Sequence, residues 1–413
     1  MITSLTRMPA WARWALYAAF GVLLLTIVQS ISDTERLTQT GTASEMLRFT
    51  VPIFLAGLGG LFSERAGVVN IGLEGMLILG MWFGAWGSIE YGAWWGLAIG
   101  IIGGMLGGLL HAIATVTFQV DHIISGVAIN ILAPAITRYL SEEVWGSPTT
   151  SPQTSEVGSW DVPFLAGGTI FGWESPDLLL TIARWDIWYA SDLAQVARGA
   201  TRDVSFVVII SIALVPLTVW LIWRTRFGLR LRICGEKPSA GEAQGIDIVR
   251  YKYVAVIASG GLAGLGGAFI STELSGLFQG GNSAGRGFIG LAALIFGNWR
   301  PGGVLIGALL FGYVFGLDLR DLDGSASHAM LLVNAIAFAG VAAWAFSRRR
   351  TADTVIATVL GVGALFWWVV ADTVPSWWSN TLPYVVVLLV LIFFAQRLRM
   401  PVSLGQPYRK GET

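Results

Sequence analysis

The chain has 413 residues, of which 54% are apolar and only 13% charged, against about 25% charged in a soluble globular protein. With a mean hydropathy of +0.66, that balance excludes a soluble domain and predicts an all-α polytopic membrane protein. Zero formal net charge argues against a nucleic-acid partner, and a lone cysteine, Cys234, excludes an internal disulfide or a thiolate metal cluster. A spanning helix needs about 20 apolar residues. In chain order, spans are expected near 14–31, 48–63, 66–87, 93–116, 123–140, 204–223, 253–273, 287–297, 302–318, 328–346, 354–374 and 382–396. The segment at 287–297 is short enough to re-enter, so about 10–12 transmembrane helices are expected in one domain covering 1–413. No small-residue cleavage site follows Trp14 to Ile31, which is expected to stay as the first span.

Lysine and arginine in short loops set the orientation. With a cytoplasmic N-terminus, Arg65, the basic loop 224–252, Arg300, Arg348 to Arg350 and the tail 397–413 fall inside, together with all three lysines. Both termini are then cytoplasmic. The external segment 141–203 is rich in Ser, Thr, Pro and Trp, and its stretch from Leu178 to Tyr189 is amphipathic enough to lie on the membrane surface.

Two features break the apolar pattern. The run from Gly60 to Met76 carries Glu64, Arg65, Asn70 and Glu74 among Gly60, Gly67, Gly72 and Gly75. Charge at membrane depth normally faces protein or a water-filled path, and glycine lets a helix break there. A weak echo follows in the second half. Gly60-Leu-Phe precedes Ile71-Gly-Leu, and Gly276-Leu-Phe precedes Ile289-Gly-Leu, which points to an internal repeat with broken helices. Separately, Gly100, Gly104 and Gly108 lie four apart, and Gly260 and Gly264 repeat that spacing, so both helices offer a face for close packing.

No catalytic signature is present: there is no nucleotide-binding P-loop and no H-E-x-x-H. His111, His122 and His328 are dispersed and read as cap or interfacial residues, so no catalytic or metal residue is assigned. For a substrate path, Asn70, Asn130, Asn282 and Asn298 can each donate and accept hydrogen bonds, although a bond between helices serves each equally well. Phe62, Trp82 and Phe288 can stack on a base or sugar face or pack in the core. Glu64 and Glu74 complete the candidate path. Glu74 has two readings, substrate contact or a structural partner for Arg65 or a neighbouring backbone group. In the cytoplasmic loop, Pro238 can open a short helix that Gly245 closes, exposing Glu242 and Gln244 and burying Ala243 and Ile246.

The run Ser63-Glu-Arg-Ala-Gly-Val-Val-Asn-Ile-Gly-Leu-Glu-Gly75 resembles the hallmark of ABC-importer permeases for nucleosides and simple sugars, within the branched-chain amino acid and ribose permease family. Phe227-Gly-Leu-Arg-Leu-Arg232 with Glu242-Ala-Gln-Gly-Ile246 resembles that family's coupling helix. Gly287 to Gly297 with Asn298 to Gly303, and the tail Leu404 to Gly411, are similar to its second broken helix and its C-terminus. The likeness covers roughly 45–140, 204–318 and 382–411; the segment 141–203 and the helix pair 328–374 fall outside it.

The resemblance implies one of two permease subunits in the cytoplasmic (inner) membrane, the other being a paralogue. Cytoplasmic ATPase subunits would dock on Arg226, Gly228, Arg230, Arg232, Glu236, Glu242, Ala243, Gly245 and Ile246. An external binding protein would deliver the nucleoside or sugar. The chain itself would hold no cofactor, ATP and Mg residing in the ATPase. Two other classes remain open at this point. One is an ion-coupled secondary transporter using carboxylates such as Glu74 and Glu273, which the basic docking loop disfavours. The other is a membrane enzyme acting on lipid-linked substrates, which lacks a catalytic cluster.

Overall fold

The computed structural model describes residues 10–170, 172–321, 323–371, 374–375, 381, 398–409 and 411. The expected span at 382–396 lies outside these residues. The helices are α1 (Ala10–Ser32), α2 (Thr40–Arg65), α3 (Leu73–Tyr91), α4 (Ala93–Ala112), α5 (His122–Trp145), α6 (Leu178–Ala183), α7 (Trp188–Gly199), α8 (Phe206–Arg224), α9 (Arg226–Glu236), α10 (Pro238–Ala243), α11 (Ile248–Phe269), α12 (Arg286–Phe296), α13 (Pro301–Arg320), α14 (Ser325–Ser347) and α15 (Thr351–Val370). Among the described residues, nine helices are long and apolar enough to cross a membrane, and α12 is a shorter apolar one. Wide π turns extend α4 over Ile113–Thr117 and α11 over Ile270–Leu274.

Capping residues set several helix starts. Asp121 accepts from the Ile123 and Ile124 amides, Ser205 from Val207, Thr225 from Gly228 and Asp247 from Arg250. Prolines lie inside α2, α5 and α8 at positions 52, 134 and 216. In α5 the Thr137 hydroxyl bonds the Ala133 and Pro134 carbonyls, as polar side chains do where proline disturbs a membrane helix.

The chain divides into two compact units. The larger comprises Arg48–Ser159, Ser205–Gly312 and Val387–Thr413. Its centre is the packing of α3, α4 and α11, which is almost side-chain-free. A methyl group at Gly104 would collide with the Gly260 carbonyl oxygen, one at Gly264 with the Gly100 carbonyl, and one at Gly80 with the Gly264 carbonyl. The regular glycine spacing is therefore helix-packing architecture. Around it lie Ala56, Leu77, Met81, Trp82, Ala85, Ile270 and Phe278.

The smaller unit comprises Met1–Leu47, Trp160–Val204 and Tyr313–Val386. Val28, Leu37, Val314, Leu317, Ala326, Ala329, Met330 and Leu332 form its core. Residues 178–189 do not form one surface helix: the stretch splits into α6 and the start of α7, separated at 184–187. Asp177 and Arg198 join the two helices at 2.8 Å, and α7 docks on α1 through Asp192 to Gln29 (3.0 Å) and Tyr189 to the Ala19 carbonyl (2.7 Å). The segment 141–203 is thus shared. Its first part belongs to the larger unit, where the Ser151 and Thr154 amides donate to the Phe278 and Gly276 carbonyls at 2.9 and 2.8 Å.

Candidate functional site

The expected span at 66–87 becomes helical only at Leu73, because residues 66–72 form an open break. Most polar groups in the break find specific anchors, though the buried Asn70 Oδ1 has none. The Ser63 hydroxyl donates to the Val68 carbonyl (2.6 Å), and the Val69 amide donates to His122 Nδ1 (3.2 Å). His111 Nε2 pairs with the Val69 carbonyl, and its Nδ1 pairs with Ser125, both at 2.9 Å. Asn130 bridges the break to α5, accepting from the Gly75 amide at 2.8 Å and donating to the Ile71 carbonyl at 2.9 Å. Asn70, fully buried, donates to Ser259 at 2.9 Å. His111 and His122 are therefore buried parts of the clasp and not interfacial. Their position one element away in the fold left no local signal in the sequence.

The charged residues of the same run hold both ends of α12. The Glu74 carboxylate accepts from the Gly285 amide (3.1 Å) and the Gly287 amide (2.7 Å), so it caps the helix N-terminus, where a negative charge is favoured. It does not pair with Arg65. At the other end, Glu64 accepts from the Trp299 indole N–H at 2.5 Å, and Arg65 donates to the Trp299 carbonyl at 2.7 Å. Arg65 also lies 3.9 Å from Glu236 and over the Trp223 ring. Asn298 and Trp299 are both left-handed, at φ 51° and 54°. Asn298 belongs to a type enriched in that conformation, whereas Trp299 is held in it by the Glu64 and Arg65 bonds. Gly287 is obligatory, because a Cβ there would lie 2.6 Å from the Glu74 backbone.

The two halves thus share an apolar helix entered through a glycine-bearing break, at Leu73 and at Arg286. The preceding Gly-Leu-Phe runs differ, being helical at 60–62 and irregular at 276–278. Of the remaining candidates, Phe62 is buried in α2, while Phe288 is 47% exposed. Asn298 accepts from the Arg399 amide at 2.7 Å. Asn282 is half-buried, and its carbonyl accepts from Arg286 at 2.5 Å. Trp82 donates to Ser141 at 3.0 Å and packs against Trp145, which in turn packs on Phe278.

A cavity of about 370 Å³ opens beside this network, within the usual size of a small-molecule site (about 300–1,000 Å³). Phe278, Met81, Ile78 and two prolines supply apolar wall; Thr137, Arg138, Thr149, Gln279 and Ser283 supply polar groups. Of the sequence candidates, Asn282 sits between the lining residues Gly281 and Ser283, and Trp82 packs one layer behind. Asn70, Asn130, Glu64, Glu74, Asn298, Phe62 and Phe288 do not line it. Sequence reasoning missed the polar lining. Arg138, a charge in the expected span 123–140, was the available signal.

The basic loop folds as two helices joined at Lys237. Pro238 opens α10 and Gly245 (φ 77°) follows its end, as the spacing predicts. The burial differs from expectation, however. Ala243 is exposed, and Gly241 is the buried residue, held between Ile233 and Ile248. Gly228 packs on the Leu221 and Ile222 carbonyls, Arg230 reaches the Tyr251 hydroxyl (3.3 Å), and Glu236 faces Arg65. Arg226 and Arg232 lie on the same helix, and Ile246 is half-buried beyond Gly245. Cys234 sits in α9, and burial pushes its thiol up to about 11. A thiol needs its thiolate to react. Alkylation of the native protein at pH 8 will therefore be slow, on the order of a hundredfold slower than in the denatured chain; mass-spectrometric timing with iodoacetamide measures this, and equal rates would contradict the buried placement.

Broken helices, a helix core packed through glycines and a partly polar cavity beside them suit a helical transport protein. A family model described as the permease component of the branched-chain amino acid transport system matches residues 42–320, and the chain belongs to that family: it is the permease component of an ABC transporter and not an enzyme. It is 34% identical over 278 residues to the nucleoside ABC transporter permease protein NupC of Lactococcus lactis, covering 65% of this chain and 79% of that one. It is 35% identical over 286 residues to the guanosine ABC transporter permease protein NupQ of Bacillus subtilis (66% and 80% covered). The guanosine permease protein NupP of the same bacterium is 27% identical over 305 residues (71% and 78% covered). No solved structure matches. The family match covers most of the larger unit and runs through 160–204 of the smaller one, while α1, α14 and α15 lie beyond it and belong to the smaller unit.

Proposed function

We propose that the chain moves a nucleoside inward across the cytoplasmic membrane, with simple sugars as the second class, and that both termini are cytoplasmic. ATP and Mg are held by separate ATPase subunits that dock at 226–246, an external binding protein delivers cargo, and a paralogous permease completes the path. The observation that carries the cargo class is the similarity, at 34% and 35% identity over about four-fifths of their lengths, to permeases named for nucleosides and guanosine. Two relatives named for one cargo in one bacterium favour the paralogous pair. The ion-coupled alternative loses its motive, since Glu74 is engaged by two amides and Glu273 accepts from the Val157 amide at 2.5 Å.

Uptake of labelled guanosine, uridine and glucose into vesicles holding permeases, ATPase and binding protein tests this. Nucleoside uptake that needs ATP and survives a protonophore is expected; uptake that follows the proton gradient without ATP would overturn it. Within the docking assignment, Glu242→Arg and Gly245→Pro uncouple the system. Gly245 at φ 77° cannot become proline without strain, and Glu242 anchors the Gly411 amide at 3.2 Å. If the ATPase still co-purifies with both variants and is still stimulated by cargo, the assignment fails.

A further inference from the structure

The C-terminal tail touches α9, α10, the first helix break and the turn after α12. The Arg399 amide donates to Asn298, in the left-handed break after α12 (2.7 Å). The Ser403 amide donates to the Gly235 carbonyl (2.8 Å) and its hydroxyl to the Glu236 carbonyl (3.2 Å), at the end of α9. The Gly405 amide donates to the Gly67 carbonyl (3.2 Å), inside the first break. Arg409 donates to Gln119 (3.0 Å), and the Gly411 amide reaches Glu242 in α10. Between them, the Tyr408 ring lies 5.8 Å from the Lys252 ammonium at the start of α11, and the phenol bonds Glu242. Burial first, then the bond to Glu242, pushes that phenol up to about 12.

Gly67 shows why such a link can transmit motion. It is enclosed by the Cys234 carbonyl, Gly235 and the Ser403 carbonyl, all within 3.2–3.3 Å of where its Cβ would stand. Close packing of this kind moves as discrete contacts, not by continuous deformation. A displacement of α9 and α10 therefore reaches the first break directly, and reaches the turn after α12 by two routes: through Glu236, Arg65 and the Trp299 carbonyl, and through the tail, whose Arg399 amide bonds Asn298.

We propose that residues 399–409 and 411 act as a coupling strap that makes the α9–α10 loop, the first helix break and the turn after α12 shift together when the ATPase subunits move that loop. The proposal rests on the ATP-driven importer reading above. Its residues are positioning residues, none of which needs to touch cargo. Coupling between sites is a free-energy quantity, and its loss appears as transport no longer matched to hydrolysis.

The test measures cargo moved per ATP hydrolysed in the reconstituted complex, with the ATPase present. Tyr408→Ala and deletion of 404–413 are expected to lower that ratio about five- to tenfold while hydrolysis and complex assembly persist. Tyr408→Phe, which keeps the ring against Lys252, should stay near wild type. If the truncated chain does not accumulate, Tyr408→Ala decides alone. A wild-type ratio in Tyr408→Ala overturns the strap. A wild-type complex that takes up no cargo with ATP overturns the importer reading, and the strap with it.

Discussion

Replacing Glu74 by alanine will stop uptake while the chain still inserts in the membrane. The substitution removes the acceptor for two amides, Gly285 and Gly287, at the start of α12. Glu74 is only 6% exposed, so no bulk water replaces it. An unsatisfied buried donor costs about 1–3 kcal/mol, and bonds to a charged acceptor lie toward the upper end. Together the two losses, about 2–6 kcal/mol, free one end of an 11-residue helix whose other end rests on Glu64 and Arg65. Membrane insertion is governed by the apolar spans, which are untouched. Glu74→Gln keeps one strong acceptor and should retain partial uptake. Vesicle uptake beside membrane quantification reads both effects. Wild-type uptake in Glu74→Ala would remove the carboxylate from the mechanism, and equal loss in the glutamine variant would point to substrate charge instead of capping.

The second large effect is expected at Gly104. A side chain there meets the Gly260 carbonyl and Gly264 backbone, not a flexible side chain. No rotamer relieves that clash, so α4 and α11 must separate. Gly104→Leu should therefore exceed the about 1–3 kcal/mol of ordinary overpacking and abolish a monodisperse, folded protein in detergent. Gly363→Leu is the control: it lies in α15, also a membrane-length helix, with nothing within 4 Å of its Cβ position. Normal size-exclusion behaviour and melting of Gly104→Leu would contradict the packing of α4 on α11.

These two positions illustrate how unevenly the site could be read from sequence. The glycine spacing of α4 and α11 reports packing directly, because a four-residue period places the glycines on one helix face whatever lies opposite. The run 60–76 announced a break, since lipid tolerates neither its charges nor its glycines. What its charges do was not legible. Glu74 and Glu64 meet partners more than two hundred positions away, at Gly285, Gly287 and Trp299, and no local pattern encodes such a pairing. The two buried histidines show the same limit, as their partner Val69 belongs to another helix break. Ala243 was expected inside because it is apolar; α10 is a single short helix, and the small Gly241 is what fits against Ile233 and Ile248.

By itself the sequence determined the class. Composition requires a membrane, hydropathy sets most of the helices, and the motif at 63–75 marks the family. Those properties are local sums over neighbouring residues, which a linear reading captures. Only the tertiary structure decided that the motif brackets α12 at both ends, that a cavity opens between α3, α5 and the 278–283 loop, and that the tail runs past α9 and α10 to the first break and the turn after α12. Each of these depends on which distant backbone amides and carbonyls come within about 3 Å of a given side chain. Helix packing sets that proximity, and no single segment contains it.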